Sequence, residues 1–179
     1  MVYFTSDTHF NHKNIIKYCN RPFNTVFEMN KAIVDRWNSK VDKKDLIYHL
    51  GDFGFGDVEN IFSKLNGRIF LCIGSHEKSA LRIREKFEAV AESFWIVDHN
   101  IFVAHYAHRV WSKSHYGSYH LFGHSHGGLN EWAEERKNCM DVGVDNNDFY
   151  PFSLNEVLDK LTNKGGLRCH YHSKNLRRS

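Results

Sequence analysis

Five short apolar runs in this chain end alike, each passing into a small group of aspartate, histidine and glycine. VYFTS at 2–6 is followed by Asp7 and His9, and LIYHL at 46–50 by Gly51 and Asp52. RIFLCI at 68–73 leads into Gly74, Ser75, His76 and Glu77; IFVA at 101–104 leads into His105. A fifth run at 119–122 leads into Gly123, His124, Ser125, His126 and Gly127. Runs rich in β-branched and aromatic residues read as strands, and in open α/β sheets ligands bind beyond the carboxyl ends of strands. The fold therefore has to bring five strand ends to one region.

The stretches between the strands fit that demand. Residues 12–19 read as a short helix and 26–39 as a longer one, with Val26, Met29, Ile33 and Trp37 at spacings of three and four. Asp57 is placed to cap a helix running to Leu65, and a further helix is expected from about Lys78 to Val90. Strands at 94–98 and 100–104 turn at Asp98-His99-Asn100, another strand lies at 139–144, and Ser153 caps a final helix, LNEVLDKLTNK. The pattern is that of an α/β protein with a layered sheet core and helices on its faces.

At 179 residues, 41% of them apolar and 15% aromatic, the chain is long enough for one domain with a real core. No apolar run approaches the roughly 20 residues that span a bilayer. The start, MVYFTSDTHF, lacks the basic region of a signal peptide. Cys19, Cys72, Cys139 and Cys169 lie far apart with no C-x-x-C pair, which suits reduced thiols in the cytoplasm. The net charge of +3 belongs to one end: residues 164–179 hold five cations and no acid, and without them the chain stands at −2. The division expected is a domain over 1–163 and a basic tail over 164–179. That tail reads as a solvated, frayed end or as an arm for phosphate backbones or an acidic partner.

Thirteen histidines are many for this length, and six of them (105, 108, 115, 120, 124 and 126) fall within 22 positions. Histidine is the commonest metal ligand. Mixed nitrogen and oxygen donors at converging strand ends suit two divalent ions sharing a carboxylate bridge, and favour Mn, Fe, Zn, Co or Ni over Ca or Mg. His49 and His120 sit inside apolar strands and read as core residues. Trp111, in a loop, reads as core or as a flank for substrate.

The ordered blocks D-x-H, GD, G-x-H-E, H and G-H-x-H resemble the calcineurin-like metallophosphoesterase superfamily over roughly residues 1–160. DTHFNHKNIIKYCNRPF, YHLGDFGFG, HYAHRVWSKSHYGSYHLFGHSHG and DVGVD bring the likeness closest to a compact bacterial and phage branch. The resemblance implies a four-layer α/β/β/α sandwich of two mixed sheets flanked by helices. It also implies that Asp7, His9 and His126 bind one metal and His105 and His124 the other, with Asp52 bridging. Two positions depart from the pattern. Ser75 stands where an asparagine amide binds the second metal, which implies a weaker second site. Glu77 stands where an aspartate supports the adjacent histidine. A further departure, from the branch alone, is Asp141 in place of an asparagine.

The chemistry implied is hydrolysis of a phosphate ester by a hydroxide held between the two ions, Mn²⁺ being the first choice. His76, helped by Glu77, would neutralise charge and protonate the leaving alkoxide. Asn11, His12, Arg21, His108 and Arg109 lie in or near the motif loops and are candidate substrate contacts, since arginine forks suit phosphate oxygens. No capping insertion is evident, so the cleft should be open and diesters, including nucleotides and nucleic acid, are favoured. A phosphatase acting on small monoesters or phosphoproteins remains the alternative, as does a metal-binding scaffold with weakened catalysis.

Overall fold

In the computed structural model, which describes residues 1–164, the apolar runs form two mixed sheets. In the first, β1 (Val2–Thr5), β2 (Leu46–His49), β3 (Arg68–Cys72) and β4 (Ala89–Ala91) are parallel neighbours in the order β4-β3-β2-β1. A two-residue strand, β9 (Phe152–Ser153), pairs antiparallel with the free side of β1. The second sheet has the order β5-β6-β7-β8, from β5 (Ser93–Ile96), β6 (Ile101–Ala104), β7 (Tyr119–Phe122) and β8 (Cys139–Asp141); β5 runs antiparallel to β6 and the rest are parallel.

Register decides where the polar strand ends fall. Val2 lies opposite Leu46 and Leu46 opposite Arg68, so β1, β2 and β3 start together and β3 ends one residue beyond the others. The sheets meet beyond these ends: Ser6 forms a parallel bridge with Gly143, and the Val144 amide donates to the Ser6 carbonyl at 3.0 Å.

Side chains alternate across β1, and each face has its own core. Tyr3 faces a layer containing Ile47, Ile69 and Leu71 with Met29, Ile33 and Trp37 of α2 (Val26–Lys40) and Val58 and Ile61 of α3 (Val58–Phe62). Phe4 faces the space between the sheets, with Leu50, Val103, Leu121 and Phe152, closed by Val157 and Leu161 of α5 (Leu154–Asn163). The outer face of the second sheet packs Phe122 and Cys139 against Trp111 and against Ala133 of α4 (Asn130–Arg136). Each fully buried large side chain contributes about 1.5–3 kcal/mol. Helix starts are capped where the sequence offers the residue. The Thr25 and Asp57 side chains accept from the Glu28 and Asn60 amides, and Ser153 with Glu156 forms a capping box.

Several elements differ from the sequence reading. The helix expected over 78–90 is a 3₁₀ segment, Ala80–Lys86, with Ile83 off-helix, and it is followed by β4. Ala80, Ile83 and Phe87 are buried at helical spacing, but the Glu88 amide bonds the Ile69 carbonyl and draws the next residues into the sheet. The first helix is one turn, α1 (Ile15–Tyr18), α3 stops at Phe62, and β8 stops at Asp141. Helix α4 was not expected: it buries a single residue, Ala133, and has no capping side chain. Of the basic tail only Lys164 lies within the described residues, paired with Glu134 at 2.7 Å.

His49 and His120 are fully buried, as core residues should be. His120 donates from Nδ1 to the Phe102 carbonyl (3.2 Å) and accepts at Nε2 from the His108 amide (3.0 Å), so its neutral tautomer is fixed. Burial pushes its pKa down to about 4. The unfolded ring titrates near about 6.5, so this neutral ring contributes stability that is full above that pH and is withdrawn as pH falls toward the folded value. In an NMR titration the His120 ring signals should stay flat from about pH 8 to about pH 5.5; an inflection near about 6.5 would mean a solvated ring.

Candidate metal centre

Every one of the five polar strand ends reaches the same place. Asp7 and His9 leave β1, Asp52 leaves β2, and Ser75 and His76 leave β3. His105 leaves β6, and His124 and His126 leave β7. Asp7, His9 and His126 each place a donor atom within 4.8 Å of the others, and Asp52, His105 and His124 do the same. One oxygen joins the two groups: Asp52 Oδ2 lies 3.6 Å from His9 Nε2 and 3.6 Å from His105 Nε2.

The backbone is bent to achieve this. Asp7 (φ 57°), His9 (48°), Asp52 (56°), His124 (65°) and His126 (47°) all occupy the left-handed region. For residues with a Cβ each such position costs on the order of 1–3 kcal/mol, and such strain clusters at functional sites. Two glycines give the carboxylates room. A Cβ on Gly74 would stand 2.5 Å from Asp52 Oδ1, and one on Gly123 would stand 2.5 Å from Asp7 Oδ2.

The donors of each group could hold a cation. Asp7 Oδ1, both ring nitrogens of His9 and Nε2 of His105 are buried with no hydrogen-bond partner among the described residues. Buried polar atoms are otherwise almost always satisfied. Burial pushes the Asp7 carboxyl up to about 8, against the pull of His126. Burial, then the charges of His126 and Arg21, pushes His9 down to about 2, and burial lowers His105 as well. A cation at these donors would favour both the ionised carboxyl and the neutral imidazoles.

Around the donors lies a set of orienting bonds. His105 donates from Nδ1 to the Leu50 carbonyl at 2.8 Å, which leaves Nε2 as the free acceptor. His126 Nδ1 meets Asp145 Oδ2 at 2.7 Å. Arg21 donates from Nε and Nη2 to the same carboxylate at 2.8 and 2.9 Å, and also to the Asp7 and Thr8 carbonyls. Burial opposes charge on His126, but the Asp145 hydrogen bond and the nearby carboxylates outweigh it and raise its pKa. Against its own burial, Asp145 is held below the usual carboxylate range by His126 and Arg21. Asp141 accepts from Ser125 Oγ (2.6 Å) and the Gly127 amide (3.1 Å), fixing the loop that carries both histidines. Sequence reasoning passed over Asp145; the DVGVD stretch carried a signal, but its last residue forms no strand end.

The remaining candidates divide. Ser75 Oγ donates to both oxygens of Asp52, at 3.2 and 3.0 Å, and the His76 amide donates to Oδ1 at 2.8 Å, with the His76 ring exposed. Glu77 does not support His76. Its carboxyl is buried on the other side, where the Phe53 amide donates to Oε1 at 2.9 Å, and burial pushes its pKa up to about 7. A cleft of about 740 Å³ lies over the donors, with His12, Ser75, His76 and His124 in its walls. Arg21 is not in that wall: its side chain is fully buried and its fork is engaged by Asp145. Asn11 is also committed inward, donating to the Phe55 and Asp57 carbonyls and accepting from Asn30. The His108 ring packs edge-on against Phe102 and His120, while Arg109 is exposed and gives its carbonyl to Arg136. Neither lines this cleft. Trp111 is buried, its Nε1 donating to Ser118, which makes it core.

No family model matches the chain. It is 33% identical over 174 residues to the uncharacterized protein MJ1445 of Methanocaldococcus jannaschii, and the match covers 92% of each protein. The gene 66 protein of Mycobacterium phage L5 is 28% identical over 109 residues, 58% of this chain and 52% of the phage protein. Among solved structures, the protein of unknown function AQ665 from Aquifex aeolicus superposes with a TM-score of 0.70 at 26% identity, over 90% of this chain and 98% of that one. No helix among the described residues is long and apolar enough to cross a membrane.

Proposed function

The chain belongs to the family of the uncharacterized protein MJ1445, and we propose that it is a metal-dependent hydrolase of phosphate esters, acting on diesters. The observation that carries this reading is the single Asp52 oxygen facing a histidine nitrogen of each donor group. Two divalent ions held there, Mn²⁺ first and Fe, Zn, Co or Ni by the same donors, would supply Lewis acidity and a nucleophile from water at neutral pH. Asp7, His9 and His126 would hold one and His105 and His124 the other, with Asp52 shared and Ser75 at its edge.

The chain's own residues do the rest. Asp145, clamped by Arg21, fixes the ring of His126 and keeps its Nε2 an acceptor. The Ser75 hydroxyl and the His76 amide hold the Asp52 carboxylate in place, so little reorganisation accompanies reaction. His76 is anchored through its backbone while its ring stands free at the cleft wall, in position to donate a proton to a departing alkoxide. Ser75, His76 and His124 are exposed, so both substituents on phosphorus have room to leave the site, which favours a diester.

The deciding measurement is turnover of bis-p-nitrophenyl phosphate and p-nitrophenyl phosphate in Mn²⁺ with a chelator control. Hydrolysis of the diester, lost on chelation and restored by metal, is expected; no turnover of either by metal-loaded protein overturns the reading. His76→Ala should lower turnover by about 10²–10⁴-fold on an ester with a poor leaving group while metal content stays near wild type. The p-nitrophenyl esters need little leaving-group protonation and should show a smaller loss. Wild-type turnover of the poor substrate would remove His76 from the mechanism.

A further inference from the structure

We propose that the substrate is a single strand of nucleic acid, held with one base stacked on Tyr18 in the cleft wall and another on Tyr106 beside His105 and His124. The inference rests on the phosphoesterase reading and names its substrate class.

Both rings are exposed, and both are joined to the donor histidines by ring contacts. Tyr106 is 47% exposed and meets His105 and His124 edge-on, each at 4.7 Å, so it flanks the donor group built on Asp52. Tyr18 is 71% exposed and stands in the cleft wall. Its ring centre is 6.3 Å from that of His12, which lies 5.7 Å from His9 and stacks on Phe55 at 4.5 Å. Contacts therefore connect Tyr18 through His12 to His9, and Tyr106 to His105; His9 and His105 are the two histidines that face the Asp52 oxygen. A phosphodiester held beside that oxygen would have Tyr18 near the donor group of His9 and Tyr106 near that of His105.

The chemistry of the flanks selects what the two substituents on phosphorus are. Every base has a π-face, so a tyrosine platform holds a strand without reading its sequence. Bases in a duplex are already stacked and paired, and neither ring could take them. Exposed lysines neighbour these residues in the sequence, Lys13 after His12, Lys17 before Tyr18 and Lys78 two residues after His76. Such cations suit the phosphates next to the one being cut.

The test measures binding of a fluorescent short oligothymidylate, an abasic strand of the same length and charge, and the matching duplex. Anisotropy is read in Mn²⁺ in the cold, with each strand checked for intactness on a gel. Wild type should prefer the base-bearing single strand by roughly tenfold or more over the abasic one, and over the duplex. Tyr18→Ala and Tyr106→Ala should each weaken oligothymidylate binding by roughly 5- to 100-fold, and Tyr→Trp at either position should restore it. Equal binding of base-bearing and abasic strands, a preference for duplex, or alanine variants that keep the base preference would each overturn the proposal. Its failure is separable from that of the parent reading. Protein that hydrolyses bis-p-nitrophenyl phosphate yet ignores bases retains the first and loses the second; base-dependent binding without hydrolysis does the reverse.

Discussion

Asp52→Asn should reduce diester turnover by about a thousandfold or more and leave the protein unable to hold two ions at once. The amide fails in either orientation. With its nitrogen at the Oδ1 position, a donor faces the His76 amide, which is itself a donor 2.8 Å away. With the nitrogen at the Oδ2 position, a donor replaces the one oxygen that faces both His9 and His105. Metal-ion stabilisation of a transition state is worth several kcal/mol, and about 4 kcal/mol corresponds to three decades in rate. Metal analysis of purified protein, run beside the turnover assay, checks the two halves separately. Full turnover with both ions retained would mean that Asp52 is not shared.

Arg21→Ala should unfold the protein more readily rather than simply weaken substrate binding. Its side chain is fully buried, and Asp145 is nearly so. Removing the guanidinium strands the Asp145 carboxylate with His126 alone and leaves the Asp7 and Thr8 carbonyls without their donor. Breaking a buried ion pair from one side typically costs 3–5 kcal/mol, which for a chain of this size is a fall of roughly 6–20 °C in melting temperature. A residue that merely contacts substrate would raise KM with the melting temperature unchanged, so calorimetry on metal-free protein separates the roles. An unchanged melting temperature would return Arg21 to the substrate side.

Arg21 also shows where reading a sequence stops. An arginine near a motif loop looks the same whether its fork meets a phosphate or a buried aspartate 124 positions away, and only the fold brings Asp145 to it. Glu77 makes the same point at short range. It follows His76 directly, yet one side chain faces the cleft and the other is buried against the Phe53 amide. By contrast, Asp7, His9, Asp52, His105, His124 and His126 were legible because each sits just past an apolar run, and parallel strands in register deliver such positions to one edge. The helix expected over 78–90 failed for the converse reason: its apolar spacing was helical, but pairing with the edge of β3 outweighed local preference.

Each donor group draws on both sheets. Asp7 and His9 come from the first and His126 from the second, while Asp52 comes from the first and His105 and His124 from the second. An ion in either group would act as a rivet between layers already joined by the Ser6–Gly143 bridge, the His105–Leu50 hydrogen bond and the apolar packing around Phe4, Leu50 and Leu121. Affinity for metal and cohesion of the sandwich are then one thermodynamic quantity seen from two directions. With metal bound as proposed, a substitution that loosens the layers far from the cleft would lower metal occupancy, and a rise in free metal would tighten the layers. A cell's metal supply would thereby set the lifetime of the fold as well as the rate of its chemistry.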